Sequence, residues 1–210
     1  AAILRKKSAH FDLLETIRFE EGHLYLLDEH MNRLQKTADY FDFPFSEESI
    51  RQSLQVAVEP YKEGIYKVRV LCQKDGQFTF DIAPVESLKG MMKAAVAKEP
   101  VSSENPYLYH KTTNRSVYEK HRCANPSALD VLLWNERGEL TEFTNGNMVA
   151  GINGRLYTPP ISCGLLGGTF RERLLFDGLI EEKILHLEDL KDFSKVWLIN
   201  SVRKWIEADI

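Results

Sequence analysis

A break near the middle of the chain limits the fold more than any other feature. The stretch Glu99-Pro-Val-Ser-Ser-Glu-Asn-Pro106 combines two prolines with small and polar residues, the composition of a linker. It predicts a small unit over residues 1–98, a linker over 99–106 and a larger unit over 107–210. Directly after it comes Tyr107-Leu-Tyr-His-Lys-Thr-Thr-Asn-Arg115, a single lysine set among hydroxyls, aromatics and an arginine.

In the first unit, Phe11–Phe19 and His23–Leu27 read as two β-prone runs turning at Glu20-Glu-Gly22. Asp28 then stands as a helix N-cap. Met31, Leu34, Ala38 and Phe41 recur at helical spacing, which predicts a helix over 29–41 with Arg33 off the centre of its apolar stripe. Ser46 is the expected cap of a second helix carrying Ile50, Leu54 and Ala57 or Val58. Ile65–Leu71 and Gln77–Ile82 alternate as strands around Asp75-Gly76, the strongest hairpin signal present. Lys93–Ala97 is a weaker strand. The pattern is a small α+β layer with helices on one face of a sheet.

The second unit is richer in strands. Val117–Cys123 reads as a helix, Ala128–Trp134 as a buried strand, and Leu140–Thr144 as a strand running into a polar loop, Asn145-Gly-Asn147. Met148–Ile152 and Arg155–Tyr157 flank Asn153-Gly154 as a hairpin. A loop ending in Gly164-Leu-Leu-Gly-Gly168 leads into a helix that starts at Thr169 or Phe170 and is closed by Gly178. Ile180–Leu185 and Val196–Ile199 are further strands, with a short helical turn over His186–Asp192 between them.

Composition excludes several classes. Twenty-seven basic against 31 acidic residues give a net charge of −4, which argues against a general nucleic-acid binder. No apolar run approaches the roughly 18 residues that span a bilayer, and the opening Ala1–Ser8 carries its charges after its apolar piece, the wrong order for a secretory leader. Cys72, Cys123 and Cys163 are widely spaced without a CxxC pair, so they suit a reducing cytoplasm, provide neither a disulfide framework nor a zinc site, and read as buried small hydrophobes, with a catalytic cysteine as the alternative.

Taken singly, Lys111 reads as a surface lysine, Arg33 as a helix-surface charge and Glu142 as a partner for any nearby base. The Gly164–Gly168 loop before a helix can hold an anion on free backbone N–H groups, but it is neither a Walker loop nor GxGxxG. Together, and in this order, they resemble fold-type IV pyridoxal-phosphate enzymes of the class IV aminotransferase kind. His30-Met-Asn-Arg-Leu34 is similar to that family's H-x-x-R-L helix, His110–Arg115 to its lysine motif, and Leu140–Asn147 to its T-E-x-x-x-x-N motif. Gly168-Thr-Phe-Arg171 matches its glycine-x-x-arginine turn, and Asn200-Ser201 its last polar pair.

The resemblance implies a two-domain α/β fold shortened at its N-terminal part, pyridoxal 5'-phosphate as cofactor, a small-molecule substrate and a homodimer. It places Lys111 at the Schiff-base position, Arg33 at the phosphate, and Glu142 at the pyridine nitrogen, with Thr144, Asn145 and Asn147 beside it. Gly168, Thr169, Phe170, Asn200 and Ser201 complete the phosphate end. Thr16, at the end of the first strand, would assist the leaving group, while Tyr109, Arg115 and Arg69 are candidates for substrate carboxylates. The D-R-G…G-D-G segment that precedes the hairpin in many members is absent from the given sequence, which resembles a lyase domain fused to a chorismate-amidating component. Within the family the expected activity is that of a 4-amino-4-deoxychorismate lyase. A D-amino acid or branched-chain aminotransferase and a non-catalytic binding module are the alternatives.

Overall fold

The structure, a computed structural model, describes residues 10–88 and 90–210. The pattern at Ala1–Ser8 lies outside the described residues. Two sheets organise the chain. The first has four strands in the order β2-β1-β3-β4: β1 (Leu13–Glu20), β2 (His23–Leu24), β3 (Ile65–Cys72) and β4 (Phe78–Pro84). β3 lies antiparallel to both β1 and β4, with Thr16 opposite Arg69 and Arg69 opposite Asp81.

Alternation along these strands decides what each face does. Leu13, Ile17, Phe19, Val68, Val70 and Cys72 point one way and form a core with Met31 and Leu34 of α1 (Leu27–Phe41) and Ile50 and Leu54 of α2 (Glu47–Val58). The residues between them, including Leu14, Thr16, Lys67 and Arg69, line the opening toward the second sheet. α1 begins earlier than its sequence suggests. Leu26, not Asp28, is the N-cap, and the return strand is only His23–Leu24. Tyr25 and Leu26 leave the strand because they pack on Phe170 and Ile199, and Leu26 turns the chain with φ 54°. Ser46 does cap α2, although its hydroxyl bonds to Ser49 rather than to a backbone N–H.

The second sheet has eight strands: β5 (Met92–Val96), β6 (Asp130–Trp134), β7 (Leu140–Phe143), β8 (Gly146–Ile152), β9 (Arg155–Thr158), β10 (Glu181–Glu182), β11 (Lys195–Asn200) and β12 (Lys204–Asp209). The order is β10-β9-β8-β11-β12-β5-β6-β7, and β7 also pairs with β8, which closes six strands into a barrel. β5 therefore belongs to the barrel, between β6 and β12, both parallel to it. Counted by sheet, the change occurs between Pro84 and Met92, ahead of the boundary read at residue 98. The segment 99–106 runs along the barrel, where the Val101 N–H donates to Trp134 O.

Three other expectations shift. The run Ile180–Leu185 supplies only the two-residue β10, because Ile180 and Leu185 are drawn into different cores. The Asn145–Asn147 loop is tighter than read: Thr144 and Asn145 make the turn, and Gly146 and Asn147 already belong to β8, with Asn147 opposite Glu142. Cys123 is exposed, while Cys72 and Cys163 are buried. β12 had no counterpart in the sequence reading. Among the described residues no helix is long and apolar enough to cross a membrane.

α3 (Ser116–Cys123) follows the lysine stretch, and α4 (Thr169–Phe176) is capped by Gly168. Gly146 sits where β8 crosses β11 most closely. A Cβ there would lie 2.5 Å from Ile199 O and 2.7 Å from Leu198 Cδ2. Gly146→Ala should therefore cost about 1–3 kcal/mol of stability, because β8 and β11 must part. Urea unfolding would read this as a lowered midpoint with an unchanged slope.

Candidate active site

A cavity of about 460 Å³ opens between the first sheet and the mouth of the barrel. Lys111 reaches it from a short extended segment tied to the first strand. The Leu14 N–H donates to Lys111 O (3.0 Å), the Thr113 N–H donates to Asp12 O (2.9 Å), and Leu13 bridges Thr112. The backbone of the lysine is thus fixed by the small sheet while its amine serves a site built largely from the barrel. Burial lowers the Lys111 amine to about 8, assisted by the nearby Arg33 charge, so its neutral form is far more accessible near neutral pH than that of an ordinary lysine, although the charged form still predominates there.

The opposite wall carries Glu142 on β7. Its Oε1 accepts the Tyr118 hydroxyl (2.9 Å), and Asn147 Nδ2 lies 3.4 Å from Oε2. Burial pushes the Glu142 carboxyl up to about 8, against the Tyr118 hydroxyl and the Leu166 N–H, which favour its ionised form. A cationic ring nitrogen beside it would return it to the carboxylate. Tyr118 was not a sequence candidate. It is placed by α3, and the Arg115 guanidinium lies 4.6 Å from its ring centroid while donating to Thr144 O (2.5 Å).

The turn below Glu142 is set by a buried residue that the motif reading also missed. Asp130 Oδ1 accepts from both the N–H (2.9 Å) and the hydroxyl (2.6 Å) of Thr144, and Oδ2 accepts from Asn145 Nδ2 (2.9 Å). Asn145 O in turn accepts from Asn200 Nδ2 (3.1 Å). Thr144, Asn145 and Asn200 therefore shape the floor, with much of their side-chain capacity committed to one another.

An end suited to an anion is formed by the N-terminus of α4, where Gly168, Thr169 and Phe170 line the cavity. First-turn N–H groups of a helix have no intrahelical partner and favour negative charge. A Cβ at 168 would stand 2.0 Å from Asn147 Oδ1, so any larger residue there would have to displace the Asn147 side chain from its place beside Glu142. The Arg171 side chain takes no part here: it is buried and donates to Pro159 O (2.8 Å) and to Glu182. Ser201 reaches the same cavity, its hydroxyl donating to Thr16 O (3.3 Å).

Arg33 approaches from α1 and is held by Glu15, a third residue without a sequence signal. Its Nε and Nη2 donate to the two Glu15 oxygens, each at 2.7 Å, and Nη1 donates to Gly167 O (3.0 Å). His30 Nδ1 lies 2.7 Å from Glu15 Oε2 and Nε2 3.3 Å from the Thr169 hydroxyl. Burial depresses the His30 pKa, so the ring is neutral. With a carboxylate at Nδ1, the proton sits there and Nε2 accepts from Thr169. Burial alone would raise the Glu15 carboxyl, yet Arg33 and His30 hold it well below the usual range.

The cavity thus gathers Thr16, Arg33, Arg69, Lys111, Arg115, Glu142, Thr144, Asn145, Asn147, Gly168, Thr169, Phe170, Asn200 and Ser201. Thr16 lies in the middle of β1, not at its end. Tyr109 is not among the lining residues: its hydroxyl donates to Ser103 O (2.6 Å) and its ring packs on the core around Leu108 and Val131. The donor set fits pyridoxal phosphate. A helix N-terminus with Arg33 and Ser201 suits the phosphate, Lys111 suits the aldehyde, and Glu142 suits the ring nitrogen.

Replacing Glu15 by Gln should leave Arg33 short of a counter-charge and destabilise the fold by about 3–5 kcal/mol. The native carboxyl lies below its ordinary 4.5, so its contribution is present above that pH and is lost as pH falls. Unfolding measured from pH 7 to pH 3 should show a shallower acid decline in Glu15→Gln than in the parent. Equal declines would remove Glu15 from this role.

The amino-transferase class IV family model matches residues 12–209. A protein of Schizosaccharomyces pombe described as a putative aminodeoxychorismate lyase is 35% identical over 203 residues, covering 92% of this chain and 87% of that one. The crystal structure of a putative amino-acid aminotransferase from Mesorhizobium loti superimposes with a TM-score of 0.88 at 33% identity, covering 95% and 99% of the two chains. The PLP-bound form of a hypothetical aminotransferase from Mycobacterium tuberculosis shares the fold, with a TM-score of 0.81 at 20% identity over 94% of this chain and 80% of that one. With its lysine, carboxylate and arginine converging on one cavity, this chain belongs to the class IV aminotransferase family and has the fold-type IV architecture.

Proposed function

We propose that this protein is a pyridoxal-phosphate-dependent 4-amino-4-deoxychorismate lyase, giving 4-aminobenzoate and pyruvate. The observation that carries the reading is the likeness to the S. pombe protein over nearly the whole chain. The cavity supports it with a base, a ring partner and an anion-binding end in one space.

When bound, pyridoxal phosphate supplies an electron sink for the pair left by a departing proton. The chain's residues position and move that proton. Arg33, the α4 N-terminus and Ser201 fix the phosphate, and Glu142, steadied by Tyr118, fixes the ring nitrogen. The Lys111 amine, neutral in large part at about pH 8, takes the proton from C4 of the substrate. The C3–O bond to the enolpyruvyl group then breaks, and that group leaves as the enol of pyruvate, which gains a proton on its methylene carbon. The carbocycle becomes aromatic, so atoms balance without water. The Thr16 hydroxyl, on the cavity face of β1, orients the leaving oxygen. The active unit is a homodimer.

The M. loti likeness favours a second reading, amino-acid transamination on the same lysine. Incubation with 4-amino-4-deoxychorismate should release 4-aminobenzoate, followed by fluorescence, and an equal amount of pyruvate. Absence of the aromatic product, with pyridoxamine phosphate accumulating from an amino acid, would overturn the lyase reading. Lys111→Ala should lower the rate by about 10²–10⁴-fold or more. Borohydride reduction of the loaded protein should attach the cofactor to Lys111, as read by peptide mapping.

A further inference from the structure

The cavity is strongly biased in charge. Seven of its lining residues are basic and one, Glu142, is acidic. Four of the seven are accounted for. Arg33 is paired with Glu15, Arg171 with Glu182, Lys111 serves the reaction, and Arg115 is held on Thr144 O. The remaining three are Lys67, Arg69 and Arg203; Arg203 Nη1 donates to Glu86 O, a neutral carbonyl that leaves its charge uncompensated. Among the described residues, none of these three has a carboxylate within ion-pair distance.

Their placement is not accidental to one element. Lys67 and Arg69 are two apart on β3 and so share the face turned toward the barrel. Lys67 is exposed, which puts this group at the solvent end. Arg203 comes from the other side, in the tight turn between β11 and β12. Asn200 Oδ1 fixes that turn by accepting from the N–H groups of Val202 (3.1 Å) and Arg203 (2.8 Å). Arg18 fixes it from the small sheet by donating to Val202 O (2.6 Å), while its Nε is occupied by Glu20. Asp81 is the cross-strand neighbour of Arg69 but makes no ion pair with it. Three like charges around one opening repel one another and focus a positive potential into it.

We infer that Lys67, Arg69 and Arg203 form an anion subsite at the solvent end of the cavity that takes a carboxylate of the substrate remote from its reacting amine. Lys67 and Arg203 act from opposite sheets as specificity residues, selecting dicarboxylate substrates over simple amino acids. The inference rests on the assignment of Lys111 as the reacting end of the site. It goes beyond the lyase reading by saying which side chains distinguish a two-carboxylate substrate.

Non-reactive probes test it without turnover. Calorimetric titration of the pyridoxal-phosphate-loaded protein with isophthalate and with benzoate at low salt should show the dicarboxylate binding about tenfold more tightly. Lys67→Gln and Arg203→Gln should each weaken isophthalate by about threefold to fivefold and leave benzoate unchanged, and the double variant should bring the ratio near one. Equal binding of the two probes by the parent protein, or a preference that survives in the double variant, overturns the subsite. Loss of bound cofactor from Arg203→Gln, read in the visible spectrum, would move Arg203 to the phosphate end and overturn its place here. The preference present without 4-aminobenzoate formation sinks the lyase reading and keeps the subsite. Turnover without the preference does the reverse.

Discussion

The Glu15 carboxylate accepts two hydrogen bonds from Arg33 and lies against His30, all within the packed region between β1 and α1. A buried ion pair of this kind contributes little net stability over an apolar substitute, but it is costly to break, because the survivor stays charged and dry. Its value here is in position. Arg33 extends to Gly167 O and His30 to Thr169, so the same network that holds α1 on the first sheet also holds the loop and the α4 N-terminus. The anion end of the cavity depends on that attachment.

The lysine end is attached to the same strand. β1 carries Leu14, whose N–H binds Lys111 O, then Glu15 toward α1, then Thr16 back into the cavity. Alternation lets three consecutive residues serve a backbone tether, a buried charge network and the site lining. The barrel contributes the other wall through Glu142 and the Asp130-braced turn. Lys111 and Glu142 shift in opposite directions because burial disfavours the charged form of each, and each partly restores the other. A buried amine with a lowered pKa is suited to accept a proton near neutral pH, and a buried carboxyl with a raised one is suited to a cationic partner that would return it to the carboxylate.

Much of this was legible in the sequence. The helical spacing of Met31, Leu34 and Ala38 gives α1, Asp75-Gly76 gives the β3–β4 turn, and Gly168 before Thr169 gives the start of α4. Fourteen of the fifteen site residues named from the sequence line one cavity. The misses share a cause. Tyr109 sits two residues from Lys111, yet its side chain turns into the barrel's outer core and bonds to Ser103 O, an orientation that residue type does not encode. Glu15, Asp130 and Tyr118 act through other residues, and single carboxylates or tyrosines in strands and helices carry no spacing signature. β12 has only two inward apolar residues, Ile206 and Ala208, interleaved with Trp205 and Glu207, too few to set a period.

By itself the sequence determined much of the local structure and the candidate site residues, because turn chemistry, apolar periodicity and a short ordered set of motifs are local properties. The tertiary structure decided the sheet membership of β5, closure of the barrel through β7 and β8, and the company each charged group keeps. Those depend on pairings between residues far apart in the chain: Glu15 with Arg33, Lys111 with Leu14, and Arg18 with Val202. Charge and burial at a site are sums over neighbours, and the neighbours exist only once the chain has closed on itself.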